Sequence, residues 1–268
     1  MPGPVPLPTY SVVVPLYNEA ENIPAVLAGL RAVLDELGEL YEVLLVNDGS
    51  TDATGLLIDE AAQRWPEVRV YHFARNVGQA GALLHGLRNA VGDWILTMDG
   101  DGQHDPADFR VLLQKLSDAD LVVGIRQPRC DNWLRRAMSK LANAVRRRLL
   151  QDQVTDAGCA LKVFRREIVG SLLPIRSLYS FIPAMAVNAG YRIIELPVRH
   201  LPRRHGHSNY GLSVFFWRPA ADMIALWWLF KRSVPGPKTG SISAGPYPSR
   251  DIGSPEGDVT IPPPCSPR

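Results

Sequence analysis

Four short, almost wholly apolar runs alternate with three longer amphipathic segments over the first hundred residues, and this alternation limits the possible folds more than any other feature. Uniformly apolar strands that alternate with helices are typical of a parallel sheet covered on both faces. The pattern therefore predicts an α/β domain, Rossmann-like, with a mostly parallel central sheet and helices on both faces. The predicted strands are 11–18, 41–50, 68–74 and 93–99, and the predicted helices are 22–37, 51–65 and 78–92.

Polar residues mark the carboxyl end of each predicted strand. In an open α/β sheet, ligands bind in the crevice beyond the carboxyl ends of the strands. We therefore expect four polar clusters to converge on one site. These clusters are Asn18 with Glu19, Asn47 with Asp48, Arg75 with Asn76, and Asp99 with Asp101.

The last cluster lies in the stretch LTMDGDGQHDP, residues 96–106, where an apolar strand ends in closely spaced carboxylates. A D-x-D unit at a strand end can direct two carboxylates at one hard divalent cation. Mg²⁺ is typically held by one or two carboxylates together with substrate phosphates. The sequence therefore predicts a Mg²⁺ or Mn²⁺ site at Asp99 and Asp101, whose missing positive charge the metal would supply.

The acidic residues that follow have a different interpretation. DPAD, residues 105–108, has the pattern of an N-cap, a proline at the first helical position and an acid in the first turn. We therefore predict a solvated turn for Asp105 and Asp108, and an exposed turn position for His104. The residues alone leave Gln103 open between a functional role and none.

The stretch VNDGSTD, at the end of the second predicted strand, suits a nucleotide. Asp48 offers an acceptor for donors of a base or ribose, and a helix N-terminus behind it tolerates a nearby phosphate. The tripeptide DGS is common in turns, so its weight comes from its position at a strand end.

Charge and cysteine content exclude some classes of protein. The net charge of +2 argues against a protein that coats nucleic acid. The three cysteines, Cys130, Cys159 and Cys265, lie far apart and form no disulfide framework, which fits a reducing compartment. The N-terminus, residues 1–9, reads as an extension without the features of a signal peptide.

A basic amphipathic helix is predicted over residues 132–150. Such a helix suits an anionic membrane surface or a phosphorylated partner, and an ordinary solvated helix is the alternative. The predicted apolar face is Leu134, Met138, Leu141, Val145 and Leu149, and the basic residues on the rest are Arg135, Arg136, Lys140, Arg146, Arg147 and Arg148.

A second apolar segment, residues 211–230, is interrupted by Arg218, Pro219 and Asp222, so it is a poor candidate for a spanning helix. We predict two short interfacial helices within residues 211–232, and a buried core helix is the alternative. The predicted aromatic anchors are Phe215, Phe216, Trp217, Trp227 and Trp228. Residues 233–268 are rich in Pro, Gly and Ser and are predicted to be disordered.

These motifs together resemble a known family. VVVPLYNEAENI, VNDGSTD, ARNVGQAGAL and MDGDGQHDP, in this order and spacing, resemble a family 2 glycosyltransferase of GT-A fold. RRAMSKLANAV, VTDAGCALKVFRREIV and FIPAMAVNAGYRIIELPVRHLPRRHGHSNYG resemble the dolichyl/polyprenyl-phosphate mannosyltransferase subgroup. The resemblance covers roughly residues 10–230. Asn47 stands where many relatives have Asp, and Asn209 replaces the usual Lys of GxSKY.

The resemblance implies a GT-A domain over 10–210, with a nucleotide-sugar half (10–115) and an acceptor half (116–210). It implies inverting transfer of a hexose, mannose or similar, from GDP-mannose or a UDP-sugar to a polyprenyl or dolichyl phosphate on the cytoplasmic membrane face. The residues implied to bind the nucleotide sugar are Pro15, Tyr17, Glu19, Asp48 and Asp99, and those implied to bind the metal are Asp99, Asp101 and Gln103. The residues implied to bind the acceptor phosphate are Arg135, Ser139 and Arg203. The implied catalytic residues are Asp101, Gln103 and Asp156.

Other functions fit the sequence less well. A sugar-nucleotide pyrophosphorylase would show a Gly-rich loop with a Lys after the first strand, and VPLYNEAEN has neither. A processive polysaccharide synthase usually carries a Q-x-x-R-W motif beyond the metal motif, and the QRW here lies upstream, at 63–65. A glycosyltransferase with a hydroxyl acceptor and a catalytically silent membrane-binding module stay as alternatives.

Overall fold

The computed structural model describes residues 7–127, 143–152, 154–202 and 212–233, and in the last range it describes side chains from residue 219 onward. The predicted tail, the first half of the basic segment and residues 203–211 lie outside the described residues. Within them the chain forms an α/β domain around one seven-stranded sheet.

The strands and helices are defined as follows. The strands are β1 (Tyr10–Leu16), β2 (Tyr41–Asn47), β3 (Val68–His72), β4 (Trp94–Thr97), β5 (Leu121–Gln127), β6 (Lys162–Arg165) and β7 (Ile193–Arg199). The helices are α1 (Ile23–Leu37), α2 (Thr54–Arg64), α3 (Gln79–Asn89), α4 (Phe109–Leu113), α5 (143–150), α6 (Leu178–Asn188) and α7 (Leu212–Arg232). Short 3₁₀ turns span Pro106–Asp108 and Arg166–Ser171.

The strand order is β3-β2-β1-β4-β6-β5-β7. β6 runs antiparallel to both of its neighbours, and every other pair is parallel. The predicted, mostly parallel sheet is therefore confirmed, and six strands end at one edge, which we call the carboxyl edge. The opposite edge is called the amino edge.

The four predicted strands are present, and each ends two or three residues earlier than predicted. Turn chemistry explains the difference at β2, where the Asn47 Oδ1 accepts a hydrogen bond from the Ser50 backbone N–H at 2.9 Å. An Asn side chain that bonds to the following backbone replaces the strand ladder with a turn. The polar residues after each strand therefore belong to loops.

Two hydrophobic clusters cover the two faces of the sheet, as predicted. Val12 and Val14 of β1 point into one cluster with α1 and α2, and Val13 points into the other with α3 and α6. Successive side chains of a strand face opposite sides, so a uniformly apolar strand requires a core on both faces.

The prediction of two short helices is wrong, because α7 is one helix with Pro219 inside it, while its interfacial role stays a prediction. Its Leu226 is buried in the second cluster, and the Asp222 carboxylate accepts a hydrogen bond from the Ser177 backbone N–H at 2.9 Å. These contacts hold the helix on the domain beyond the proline. Ile224 and Trp228 remain exposed. In the described part of the chain, no helix has both the length and the apolar character needed to cross a membrane.

The predicted faces of α5 are also partly wrong. Val145, predicted on the apolar face, is exposed, whereas Arg146, predicted on the polar face, is 6% exposed. The Arg146 Nε lies 2.9 Å from the buried Asp152 Oδ2, so an acid beyond the helix supplies the partner that allows an arginine to be buried.

Candidate active site

The loops after β1 and β2 hold each other at the carboxyl edge. The Asn18 backbone N–H donates to the Ser50 Oγ at 3.0 Å, and the Thr51 backbone N–H donates to the Asn18 Oδ1 at 2.8 Å. The Glu19 backbone N–H donates to the Thr54 Oγ1 at 2.9 Å. The first two predicted clusters therefore meet, as expected.

Asp48 joins the β2 end to the loop before α3. Its Oδ1 accepts from the Val77 backbone N–H at 2.8 Å, and its Oδ2 accepts from the Gly78 backbone N–H at 2.9 Å. Burial raises the pKa of Asp48, and these two hydrogen bonds oppose that rise. Asp48 thus anchors a loop, a role that the sequence did not reveal. Its contact with a nucleotide stays a prediction.

The same junction explains Gly49. Its φ is 66°, and a Cβ atom there would lie 2.5 Å from the carbonyl carbon of Arg75. A side chain would push the two loops apart, so only glycine permits their close approach.

Asp99 receives a contact from the start of α3. The Gln79 Nε2 donates to the Asp99 Oδ1 at 2.6 Å. Pro15, at the end of β1, lines the same small cavity as Gln79 and Asp99, together with Lys162 of β6. Of the other predicted nucleotide residues, Tyr17 is half-buried, and the Glu19 carboxylate accepts from the Asn22 Nδ2 at 2.7 Å.

The electrostatic environment of Asp99 is unusual. Burial, and then the charge of Asp101, raise the pKa of Asp99 to about 6, although the Lys162 ammonium opposes the rise. Lys162 is itself 1% exposed and donates to the Cys159 carbonyl oxygen, and burial lowers the pKa of Lys162 to about 8. The site thus keeps carboxylate charge that its own buried cation offsets only in part.

Asp99 and Asp101 fit a divalent cation. A cation would offset the charge that raises the pKa of Asp99, and carboxylate oxygens suit Mg²⁺ and Mn²⁺. Among the described residues, no three or more His, Cys, Asp or Glu side chains are grouped to hold a metal. Asp99 and Asp101 would therefore share the ion with ligands such as phosphate oxygens. A role of Gln103 at the metal stays a prediction. The Gln103 backbone N–H donates to the Asp101 Oδ1 at 3.1 Å.

Asp156, predicted to be catalytic, forms a two-pronged ion pair. The Arg126 Nε donates to its Oδ2 at 2.8 Å, and the Arg126 Nη2 donates to its Oδ1 at 2.7 Å. Burial alone would lower the pKa of Arg126, but the Asp156 contacts raise it, so the guanidinium stays charged. The sequence reasoning missed Arg126, although it stands at the end of the apolar run LVVGIRQ, residues 121–127. Catalysis by Asp156 stays a prediction.

Two expectations for the turn after the metal motif are wrong. His104 is 5% exposed rather than solvated. Burial, and then the charge of Arg126, lower the pKa of His104 to about 3, so the imidazole is neutral. Asp108 is 6% exposed, because Arg199 of β7 covers it through contacts of 2.7 and 3.0 Å. Asp105 caps the turn as predicted, since its Oδ1 accepts from the Ala107 backbone N–H at 2.9 Å.

The predicted acceptor-phosphate residues, Arg135, Ser139 and Arg203, lie outside the described residues and stay predictions. The strands that precede these segments are β5 and β7. They are adjacent and parallel, so both end at the carboxyl edge beside the metal motif.

The sequence of this domain matches a known family. Residues 11–173 match the sequence model of Glycosyl transferase family 2, which is more than half of the chain. The chain belongs to glycosyl transferase family 2. This confirms the family resemblance that the motifs indicated.

Similar proteins include two undecaprenyl-phosphate 4-deoxy-4-formamido-L-arabinose transferases. The one from Edwardsiella ictaluri is 38% identical over 205 residues, which cover 75% of this chain and 63% of the relative. The one from Aeromonas hydrophila is 38% identical over 204 residues, with the same coverage of 75% and 63%. The chain thus spans less than two thirds of the length of these relatives.

Solved structures support the GT-A fold. The mannosyltransferase PcManGT from Pyrobaculum calidifontis, in complex with GDP-Man and Mn²⁺, has a TM-score of 0.61 at 22% identity and covers 88% of this chain and 68% of its own. Glucosyl-3-phosphoglycerate synthase from Mycobacterium tuberculosis, with Mn²⁺, UDP and phosphoglyceric acid, has a TM-score of 0.64 at 19% identity, covering 85% and 80%. The predicted fold class is therefore confirmed.

Proposed function

We propose that this family 2 glycosyltransferase moves a sugar, with inversion, from a nucleotide-diphosphate sugar to a polyprenyl phosphate, and that it requires Mg²⁺ or Mn²⁺. The observation that carries the proposal is the Asp99–Asp101 pair at the carboxyl edge. Among the described residues, the charges of Lys162 and Arg126 offset that of Asp99 only in part, since the pKa of Asp99 is still raised to about 6. A metal-bound diphosphate matches a site of this kind.

The chemistry follows from the charges at this edge. A bound divalent cation would take up negative charge on the leaving diphosphate. Asp99 and Asp101 would hold that ion, while Gln79 orients Asp99 by its hydrogen bond of 2.6 Å. Because the second pKa of a phosphate monoester is about 6, a polyprenyl phosphate is already ionised near pH 7 and needs little general-base help.

The acceptor side requires cations rather than a base. Guanidinium groups match phosphate oxygens in geometry and stay charged. Arg135 and Arg203 are our proposed phosphate ligands, with Ser139 beside them. Asp156 fits this scheme as the partner that orients Arg126, since both of its carboxylate oxygens accept from that guanidinium.

The identity of the transferred sugar is a more specific part of the proposal. The sequence resemblance implied mannose, whereas two similar proteins are named for a 4-deoxy-4-formamido-L-arabinose. The relatives' names share undecaprenyl phosphate as the acceptor, which favours a polyprenyl phosphate here. We also propose that the protein acts peripherally on the inner membrane face, since α7 exposes Ile224 and Trp228 beside Lys231 and Arg232.

The test is a matrix of donors and acceptors with the purified protein and Mn²⁺ or Mg²⁺. The donors are nucleotide sugars that carry mannose, glucose or 4-deoxy-4-formamido-L-arabinose, and the acceptors are undecaprenyl phosphate and undecaprenol. We expect one donor to support transfer to the phosphate and almost none to the alcohol. Comparable transfer to the alcohol would favour the alternative, a hydroxyl acceptor. Donor binding without any transfer would favour the silent module.

A further inference from the structure

β7 ends on a residue that joins it to the turn behind the metal motif. The Arg199 backbone N–H donates to the Asp108 Oδ2 at 2.7 Å, and its Nε donates to the Asp108 Oδ1 at 3.0 Å. The Arg199 Nη1 also lies 3.0 Å from the Asp105 Oδ2. One residue thus bonds to both carboxylates of the turn that begins only four residues after Asp101.

The next two residues, His200 and Leu201, bond to β5 and to the metal motif respectively. The His200 backbone N–H donates to the Gln127 carbonyl oxygen, the last of β5, at 3.2 Å. The Leu201 backbone N–H donates to the Gln103 carbonyl oxygen, within the metal motif, at 2.9 Å. Residues 199–201, which we call the β7 clamp, therefore connect the metal-motif turn to the end of β5.

The β7 clamp stands at the start of both acceptor segments in the sequence. Residues 128–142, with the proposed ligands Arg135 and Ser139, follow Gln127, and Arg203 follows Leu201 by two positions. The contacts that fix the metal motif are therefore shared with the strand ends from which the proposed acceptor segments leave.

Before the first residue of β7, Arg192 also bonds to a carboxylate through its backbone and its side chain, but this pair is not connected to the metal motif. The Arg192 backbone N–H donates to the Asp120 Oδ2 at 3.0 Å, and its Nε lies 3.4 Å from the same oxygen. The Arg192 and Arg199 side chains are 63% and 56% exposed. Arg192 is thus a matched control of similar exposure and similar partner at the amino edge.

We propose that Arg199 is a positioning residue, which holds the turn after the D-x-D motif in a fixed position relative to β5 and β7. These strands precede the proposed acceptor segments, so Arg199 would set the rate of transfer to the acceptor. The proposal rests on the proposed function, because it assigns the acceptor to the β5–β7 side of the site. A displacement of reacting groups by about 1 Å can cost a hundredfold in rate, so a clamp away from the chemistry can control turnover.

The first experiment compares Arg199→Gln with Arg192→Gln in the full chain. We expect Arg199→Gln to lower kcat for transfer to undecaprenyl phosphate by about ten- to a hundredfold, while the Kd for the nucleotide with Mn²⁺ changes less than about threefold. Arg192→Gln should stay within about twofold of the wild type. Arg199→Lys should recover only part of kcat, because an ammonium lacks the planar fork that reaches both carboxylates. Equal kinetics of the two Gln variants would overturn the proposal.

A double variant separates positioning from simple loss of stability. Arg199→Gln leaves the buried Asp108 charge without its guanidinium, which by itself destabilises the fold. Arg199→Gln with Asp108→Asn removes that charge, so Tm should return towards the wild-type value while kcat stays low. Recovery of both Tm and kcat would show that only stability was at stake and would refute positioning.

Hydrogen exchange provides a readout that needs no acceptor. Arg199→Gln should speed amide exchange in peptides that cover 103–113 and 193–201, and Arg192→Gln should not speed exchange in 103–113. If the wild type fails to glycosylate any polyprenyl phosphate, the proposed function falls, and the exchange result still decides whether the clamp exists. Unchanged exchange in 103–113 would remove the clamp even if transfer to the lipid is found.

Discussion

At the amino edge of the sheet, Glu42 and Asp120 are bonded to arginines, and so are Asp108 and Asp156 near the carboxyl edge. Asp99, at the carboxyl edge, is instead bonded to the neutral amide of Gln79. Glu42 accepts from Ser11 at 2.6 Å and from Arg69 at 2.7 Å. Asp120 accepts from Arg165 at 3.1 Å and from Arg192. Buried charges are costly unless they are paired, so Asp99 differs from the arginine-paired carboxylates of both edges.

The direction of the pKa shifts records the same difference. Burial alone would raise the pKa of Asp120, but hydrogen bonds from Arg192 and Arg165 lower it below the usual value. Burial and Asp101 raise the pKa of Asp99 to about 6. Among the described residues, the pKa of Asp120 is thus lowered by arginines and that of Asp99 is raised. Our proposal assigns Asp99 to a cation with its phosphates, and lower stability is a common cost of a ligand-binding site.

The largest expected effect is at the metal motif. Asp101→Asn should lower transfer by about a thousandfold, and EDTA should do the same to the intact protein, because a cation that stabilises a leaving diphosphate contributes several kcal/mol and about 1.4 kcal/mol is tenfold in rate. The matched change at the amino edge is Glu42→Gln, which should lower Tm but change kcat less than about threefold. Full activity in EDTA would contradict the metal role that we propose for Asp99 and Asp101.

The next largest effect is expected at the proposed phosphate ligands, Arg135 and Arg203. Arg135→Ala or Arg203→Ala should reduce transfer to undecaprenyl phosphate by about ten- to a hundredfold, because a charge-assisted hydrogen bond is worth roughly 1.5–3 kcal/mol. Arg165→Ala, at the amino edge, is the control and should leave acceptor kinetics unchanged. Steady-state kinetics with varied acceptor measure both, and donor hydrolysis without acceptor should be little affected. Wild-type acceptor kinetics in both Arg135→Ala and Arg203→Ala would reassign the acceptor site.

A stability experiment sharpens the comparison, because neutralising Asp99 and neutralising Asp120 should change the free energy of unfolding in opposite directions. In the metal-free protein at pH 8, Asp99→Asn should stabilise the fold by roughly 2–3 kcal/mol, since a pKa about two units above the unfolded value means a charged form disfavoured by about that amount. Asp120→Asn should destabilise it by about 1–3 kcal/mol, since it removes hydrogen bonds to a charged group.

The pH dependence gives the sign of each effect. The penalty at Asp99 develops as pH rises from about 4 to about 6, so the gain from Asp99→Asn should vanish below about pH 4. The benefit at Asp120 is present above about pH 4 and is lost as pH falls through its lowered pKa, so the cost of Asp120→Asn should also shrink in acid. Urea denaturation at pH 8 and pH 4 measures the effect at Asp99, and a further measurement at about pH 2–3 measures the effect at Asp120. A destabilising Asp99→Asn at pH 8 would contradict the interpretation of the carboxyl edge.

The smallest effect is expected at the exposed residues of α7. Ile224 and Trp228 are 60% and 54% exposed, and changing both to Ser should weaken binding to anionic vesicles by about three- to tenfold. Leu56→Ser is the control, because Leu56 is 72% exposed on α2. Sedimentation with vesicles of anionic lipid measures the difference. Equal binding of the two variants would remove α7 from the membrane contact.

The sequence by itself determined the α/β class, the strand-end clusters and the Asp99–Asp101 motif, because these depend on short-range features. Apolar strands of uniform character require a sheet buried on both faces, and a D-x-D at a strand end needs no distant partner to be recognised. The family match over 11–173 confirms what these local patterns indicated.

The tertiary structure alone decided which charges meet. The antiparallel register of β4 and β6 sets Lys162 opposite Thr97, and so brings a buried ammonium beside Asp99. β7 brings Arg199 onto Asp108, which is why an acid that looks like a solvated first-turn residue is buried. Partners of this kind come from strands far along the chain, and only the pairing of the strands sets their positions. Local periodicity carries no information about that pairing, so the contacts of Lys162, of Arg126 and of the β7 clamp could not be predicted from the sequence.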